Sequence, residues 1–195
     1  MHIEPRIAPA ARKKAVEDEI KRARELGPIT DPVCVDDCPH YKPTEGCHRD
    51  CENAPDHLSS EAGEYPVEAQ IAPLVFELKK LGVFHPCWSC EGHNNAQGEL
   101  WKLPSVWFYS DSVVHVRALA NTIDAIFNNG SLASRWRIVL THSDVDNPDT
   151  TFSLEPQFDR VDTDLGELQA DLKIISTQLA SEFQIACENL IQNAR

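Results

Sequence analysis

Six of the seven cysteines in this 195-residue chain form close pairs: Cys34/Cys38, Cys47/Cys51 and Cys87/Cys90. Thiols at such spacings bind a metal, exchange disulfides or staple a fold, and disulfide staples rarely persist in a cytosolic chain. The first four, Cys34-x3-Cys38-x8-Cys47-x3-Cys51, lie within 18 residues. Four thiolates that close can converge on one tetrahedral ion with little loop-closure entropy to overcome. The three-residue gaps suit short helical turns, where residues four apart share a face, and His40 and His48 are near enough to replace a cysteine. Zinc is the expected ion. An iron–sulfur cluster takes the same four thiolates, and disulfides would make a stapled helical hairpin, although Pro39, Pro43 and Gly46 favour a loop.

The second cluster, His85-Pro86-Cys87-Trp88-Ser89-Cys90-Glu91-Gly92-His93, puts two thiols and two imidazoles into nine residues. One reading is a second zinc site, with Cys87, Cys90 and His93 as ligands and His85, the distant His142 or water completing it. His142 ends an otherwise apolar strand face, where a lone histidine is more often a hydrogen-bonded core residue. A second reading is dithiol redox chemistry, which needs a helix N-terminus to lower the pKa of the first thiol. Gly92 and Asn94-Asn95 follow at once, so no such helix is evident. The third is a catalytic zinc. Pro86-Cys87-Trp88-Ser89-Cys90 matches the P-C-x-x-C half of the zinc-deaminase signature. The upstream half, H-x-E or C-x-E on a helix, is missing: Glu68 stands in Pro66-Val67-Glu68 with no ligand two residues before it. What survives is generic, two thiolates and an imidazole with water in the fourth position and Glu91 as a nearby acid or base.

Something must position these residues. Residues 28–66 have many turn formers and few aliphatics, too little apolar surface to order themselves without a staple such as metal. Before them, residues 1–27 hold a helix from Pro9 whose stripe of Val16, Ile20, Ala23 and Leu26 is thin. The core is expected over 67–163. Val67, Ile71, Leu74, Val75 and Leu78 follow helical spacing, with Pro73 either kinking or starting the helix. Leu103–Tyr109 reads as a buried strand, and Ser110 or Asp111 as the cap of a helix ending at Asn128-Asn129-Gly130. Trp136–His142 and Thr150–Glu155 read as antiparallel strands about a polar turn. Residues 164–195 form a long helix, with Asp164 and Glu167 as a capping pair. Its apolar residues Leu165, Leu168, Leu172, Ile175 and Leu179 step by three and four like a coiled-coil seam, then slip to Phe183, Ala186 and Leu190. Cys187 reads as a buried thiol. The order α, β, α, β, β, α after residue 66 gives an α+β fold: a small mixed or antiparallel sheet with helices on one face.

The hydrophobic fraction of 42% suits a globular protein, and the net charge of −13 disfavours nucleic acid and anionic membranes as partners. No apolar run approaches the roughly 18 residues of a membrane helix, and the N-terminus lacks a secretory apolar core, so the cytoplasm is the expected compartment. Asp144-Val145-Asp146-Asn147 begins like a calcium loop, but Pro148 and Asp149 occupy positions that need a ligand and a glycine. Trp101, Trp107, Phe108 and Tyr109 read as core aromatics rather than a pocket. Two function classes follow. The first is a soluble zinc-binding interaction or regulatory module with mainly structural metal sites, self-associating or binding a protein through its C-terminal helix. The second is a metal-dependent enzyme of hydrolase or deaminase type, working through the His85–His93 cluster.

Overall fold

The computed structural model describes residues 9–25, 41–42, 46–47, 58–59, 67–110, 112–142, 150–157 and 163–193. Among these, helix α1 (Pro9–Glu25) is followed by three two-residue strands, β1 (Tyr41–Lys42), β2 (Gly46–Cys47) and β3 (Leu58–Ser59). Then come α2 (Ala72–Lys80), β4 (Phe84–Cys90), β5 (His93–Asn94), β6 (Leu100–Lys102) and β7 (Ser105–Ser110). The chain continues through α3 (Val113–Asn128), β8 (Trp136–His142), β9 (Thr150–Pro156) and α4 (Leu165–Asn193). The architecture is α+β.

The main sheet has the order β3-β4-β7-β9-β8. Only the β3/β4 pair is parallel; β4/β7, β7/β9 and β9/β8 are antiparallel. Two antiparallel ribbons, β1/β2 and β5/β6, stand apart from it. Trp136–His142 and its partner strand pair as the alternating apolar pattern implies. The difference lies in β4, whose residues read in the sequence as a cluster of ligands without an element. Residues 84–90 are a seven-residue strand inside the sheet, with a register shift between Pro86 and Trp88. β-Branched residues are absent from it, but the aromatic pair Phe84 and Trp88 supplies what the sheet needs to pack.

Local chemistry explains the helix bounds. Val67–Ile71 does not extend α2; it makes a bridge and a turn, and Pro73 sits in the first turn of the helix, where its missing N–H is no loss. Ser112, one residue past the expected caps, accepts a hydrogen bond from the Val114 N–H through Oγ at 3.2 Å and starts α3.

The core lies between the helices and one sheet face. Val106 and Phe108 of β7 pair with Leu154 and Phe152 of β9, so the four side chains share that face, and all are buried. Phe84 meets Phe108 edge-on at 5.4 Å and Phe183 of α4 at 5.6 Å, joining sheet to helix. α4 spends its stripe here: Leu168, Leu172, Ile175, Leu179, Phe183, Ala186, Cys187 and Leu190 are all buried in the domain's own core. The seam expected to seek a partner is therefore covered from within. A buried carboxylate anchors the same helix. Asp171 accepts hydrogen bonds from the backbone N–H groups of Ala133 and Ser134 and from Nε1 of Trp136, at 2.8, 2.9 and 3.0 Å. The thin stripe of α1 also finds a seat on α3 and α4, with Ile20 buried and the Glu19 carbonyl 3.1 Å from Nε2 of His115. No helix among the described residues is long and apolar enough to cross a membrane.

Candidate metal centre

At the end of β4 the chain must leave the sheet and reverse into the short ribbon β5/β6. Gly92 makes that reversal with a φ of +85°, a left-handed value that side-chain-bearing residues rarely adopt. A Cβ there would also lie 2.7 Å from Cδ1 of Leu165 and 2.9 Å from Cδ of Pro104, so the position needs glycine twice over. The tight turn brings Cys90, the last residue of β4, and His93, the first of β5, to the same place. The turn before α2 supplies the third member, Glu68.

Ligand atoms of Glu68, Cys90 and His93 all lie within 4.8 Å of one another. Oε1 of Glu68 is 3.1 Å from Nε2 of His93, and Oε2 accepts a hydrogen bond from the Glu91 N–H at 2.8 Å. The Cys90 sulfur accepts from the Gly92 N–H at 3.4 Å. Cys90 is fully buried and Glu68 is 3% exposed, whereas the His93 side chain keeps 26% of its surface in solvent. A carboxylate and a thiol rarely share so dry a position without a positive partner, because an ionised group there is costly unless paired or bound to metal. The set offers hard oxygen, borderline nitrogen and soft sulfur. Carboxylate and thiolate together carry two negative charges, which one divalent ion would neutralise.

Two further contacts hold this arrangement through Glu91. Glu91 points back to the α2 turn, where its Oε2 accepts from the Gln70 N–H at 2.7 Å, and Gln169 of α4 donates to the Glu91 carbonyl at 3.2 Å. Burial raises the Glu91 carboxyl above its ordinary range; the bond from Gln70 pulls it down, the neighbouring Glu68 charge pushes it up and His93 pulls it down.

The residues singled out in the sequence are distributed differently. Cys90 and His93 belong to the group; Cys87 does not. Cys87 and Cys90 lie on an extended strand, not on one turn, and three residues at about 3.3 Å each separate them by roughly 10 Å. That is also too far for a disulfide, whose Cα atoms approach within about 7 Å. The Cys87 thiol instead donates to the Trp107 carbonyl at 3.4 Å, and burial pushes its pKa up to about 11. A redox dithiol needs the opposite shift. His85 is exposed near the far end of β4, opposite Tyr109, about 16 Å along the strand from Cys90. His142 pairs with Thr150 at the far end of β8, three strands across from β4, so it is on the order of 20 Å from the cluster and cannot complete it. Cys34, Cys38 and Cys51 lie outside the described residues, as does the side chain of Cys47 in β2, and the metal staple expected over 34–51 falls there with them. Glu91 sits beside the group through its backbone N–H, and the carboxylate in the group is Glu68.

Spacing does not mark Glu68 as a ligand, because no histidine or cysteine stands two residues before it. The available signal is different: an acid set directly in the apolar run from Val67 to Leu78, at a position the core would otherwise claim.

Compared with protein-family models, with curated proteins and with solved structures, the chain matches none of them.

Proposed function

We propose that this chain is a zinc-binding protein whose ion is held by Glu68, Cys90 and His93, and that the ion's main work is structural. The observation that carries the reading is the convergence of three different donor types within 4.8 Å at a site where two of the three residues are buried. The ligands come from the α2 turn, the end of β4 and the start of β5, so one ion fastens the helix layer to the sheet at the point where the chain reverses. Metal binding then contributes folding free energy directly. On this reading the domain is an interaction or regulatory module stiffened by zinc, with residues 34–51 as a second, separate thiolate site.

One observation favours the enzyme class as a second reading. Three protein ligands are the complement of a catalytic zinc, which keeps its fourth position for water, and Glu91 lies next to two of them. Access argues for the first: Cys90 and Glu68 are buried and only His93 reaches solvent, which leaves a substrate little approach to the ion.

The test is metal content of the purified full chain, in the wild type and in Cys90→Ser and Cys87→Ser, followed by cobalt substitution. Cys90→Ser should lower the metal count by one ion per chain and remove one thiolate from the cobalt charge-transfer band, whereas Cys87→Ser should change neither. Equal metal in wild type and Cys90→Ser defeats the assignment. For the second reading, the cobalt spectrum should also titrate with pH as bound water ionises; a pH-invariant spectrum rules that reading out.

A further inference from the structure

The peptide unit between Glu91 and Gly92 is gripped at both ends. Its carbonyl accepts from Nε2 of Gln169 at 3.2 Å, and its N–H, that of Gly92, donates to the Cys90 sulfur at 3.4 Å. In a trans peptide these two groups point in opposite directions across one rigid plane. Whatever fixes the carbonyl therefore also aims the N–H. The preceding N–H, of Glu91, donates to Oε2 of Glu68 at 2.8 Å. Two successive backbone donors thus serve the two residues of the group that carry negative charge when they ligate.

Gln169 is itself held in place. It stands four residues after Leu165 on α4, so the two side chains share one helix face. Leu165 lies against Gly92, where its Cδ1 would be 2.7 Å from an added Cβ, and Gln169 lies against Glu91. The neighbouring Leu168 and Asp171 are buried, and rotation of α4 about its axis would break the three hydrogen bonds that Asp171 accepts.

Given the zinc reading of Glu68, Cys90 and His93, on which this step rests, we propose that Gln169 is a positioning residue of the metal centre. Through the 91–92 peptide it directs the Gly92 N–H at the Cys90 sulfur and so sets that sulfur's strength as a ligand. A hydrogen bond to a metal-bound thiolate draws charge from the sulfur and lowers the energy of its lone pairs. Contacts of this kind orient a ligand and tune the ion without touching it. The glutamine acts from 78 residues further along the chain, so the helix that closes the core is coupled to the centre.

The experiment compares the cobalt spectrum and zinc affinity of the full chain in the wild type, Cys90→Ser and Gln169→Met. Methionine keeps the length and helix preference of glutamine but has no donor. The charge-transfer band of this site is the difference between wild type and Cys90→Ser. In Gln169→Met that band should keep its intensity but move to lower energy, and zinc should bind about tenfold more weakly. A merely structural role would lower the melting temperature and leave the band where it was. Cys90→Ser separates the two claims. If it loses the ion while Gln169→Met matches the wild type in band energy and affinity, the site stands and the positioning role is overturned. If it keeps the ion, the site falls and the positioning role falls with it. Should Gln169→Met fail to fold, Gln169→Ala, equally without a donor, is read in the same way.

Discussion

Oε1 of Glu68 and Nε2 of His93 lie 3.1 Å apart across 25 residues of sequence, with the buried sulfur of Cys90 beside them. Carboxylate, imidazole and sulfur bind a metal ion in their deprotonated forms, so protons compete with the ion for this group. Metal affinity at the site should therefore rise with pH, and metal uptake in a weakly buffered solution should acidify it.

The Cys87 thiol should behave in the opposite way to a redox cysteine. Its pKa in the fold is pushed up to about 11 from an ordinary 9.0, mainly by burial. A folded value above the unfolded one means that the neutral thiol suits the native state. Its contribution to stability is complete below the ordinary value and is lost as pH rises through about 11. Two measurements follow. Alkylation of Cys87 at pH 8 should be much slower than that of the same thiol in denaturant, read by mass spectrometry of the peptide. Cys87→Ala should flatten the fall in stability on the alkaline side. Rapid native labelling at neutral pH would contradict the burial argument.

Much of this architecture is legible in the chain because its signals are local. The α3 and α4 patterns, the β8/β9 hairpin and the α+β class follow from periodicity and turn chemistry. β4 is not legible, because Pro86, Cys87, Ser89 and Cys90 read as a ligand loop and carry little strand propensity. Tertiary pairing on both sides, with β3 and β7, overrides that preference. Half of the candidate site fails for the same reason. Once residues 84–90 are extended, Cys87 and Cys90 part, and Glu68 enters from 22 positions upstream of Cys90 through a turn that no spacing rule anticipates. The coiled-coil-like seam of α4 is read correctly as apolar, but periodicity alone does not say whether the surface that covers it belongs to another chain or to the same one.

That distinction gives a prediction about Leu172 and Leu179, which are 1% and 0% exposed. A seam between chains would respond to Leu→Glu by dissociating into folded monomers. Here each substitution puts a carboxylate into the core of its own domain, which should cost about 4 kcal/mol or more. Circular dichroism should show loss of cooperative unfolding in either variant, with aggregation rather than a clean change in association state. Folded, monomeric variants would mean that the helix packs elsewhere.

Asp171 should matter as much for stability, through polar rather than apolar contacts. It is 1% exposed and accepts three hydrogen bonds, two from the loop before β8 and one from the Trp136 indole. Asp171→Ala would leave all three donors without a partner, at roughly 1–3 kcal/mol for each donor that water does not reach. Asp171→Asn keeps one acceptor oxygen and replaces the other with an amide NH₂ donor, so it should restore only part of the loss. Chemical denaturation should rank the three as wild type, then Asn, then Ala. Equal stability of wild type and Ala would show that water satisfies the donors.

The two acids at the centre, Glu68 and Glu91, can be separated by the same conservative change. Glu68 presents both carboxylate oxygens to the group, one beside His93 and one to the Glu91 N–H. Glu68→Gln keeps the shape but removes the charge, and it leaves one carbonyl oxygen for the two tasks of accepting from the Glu91 N–H and ligating an ion. Metal affinity should fall by at least tenfold, the scale on which changes around metal sites are felt. Glu91 turns its carboxylate away, onto the Gln70 N–H, and meets the group only through its backbone. Glu91→Gln can still accept that bond through its carbonyl oxygen, so metal content and fold should both persist. The pair is read by equilibrium dialysis against zinc together with thermal unfolding of each variant. If Glu91→Gln loses the metal while Glu68→Gln retains it, the carboxylate ligand is Glu91 and the group assigned here is wrong. If both retain it, the ion is held by Cys90 and His93 with ligands other than either acid.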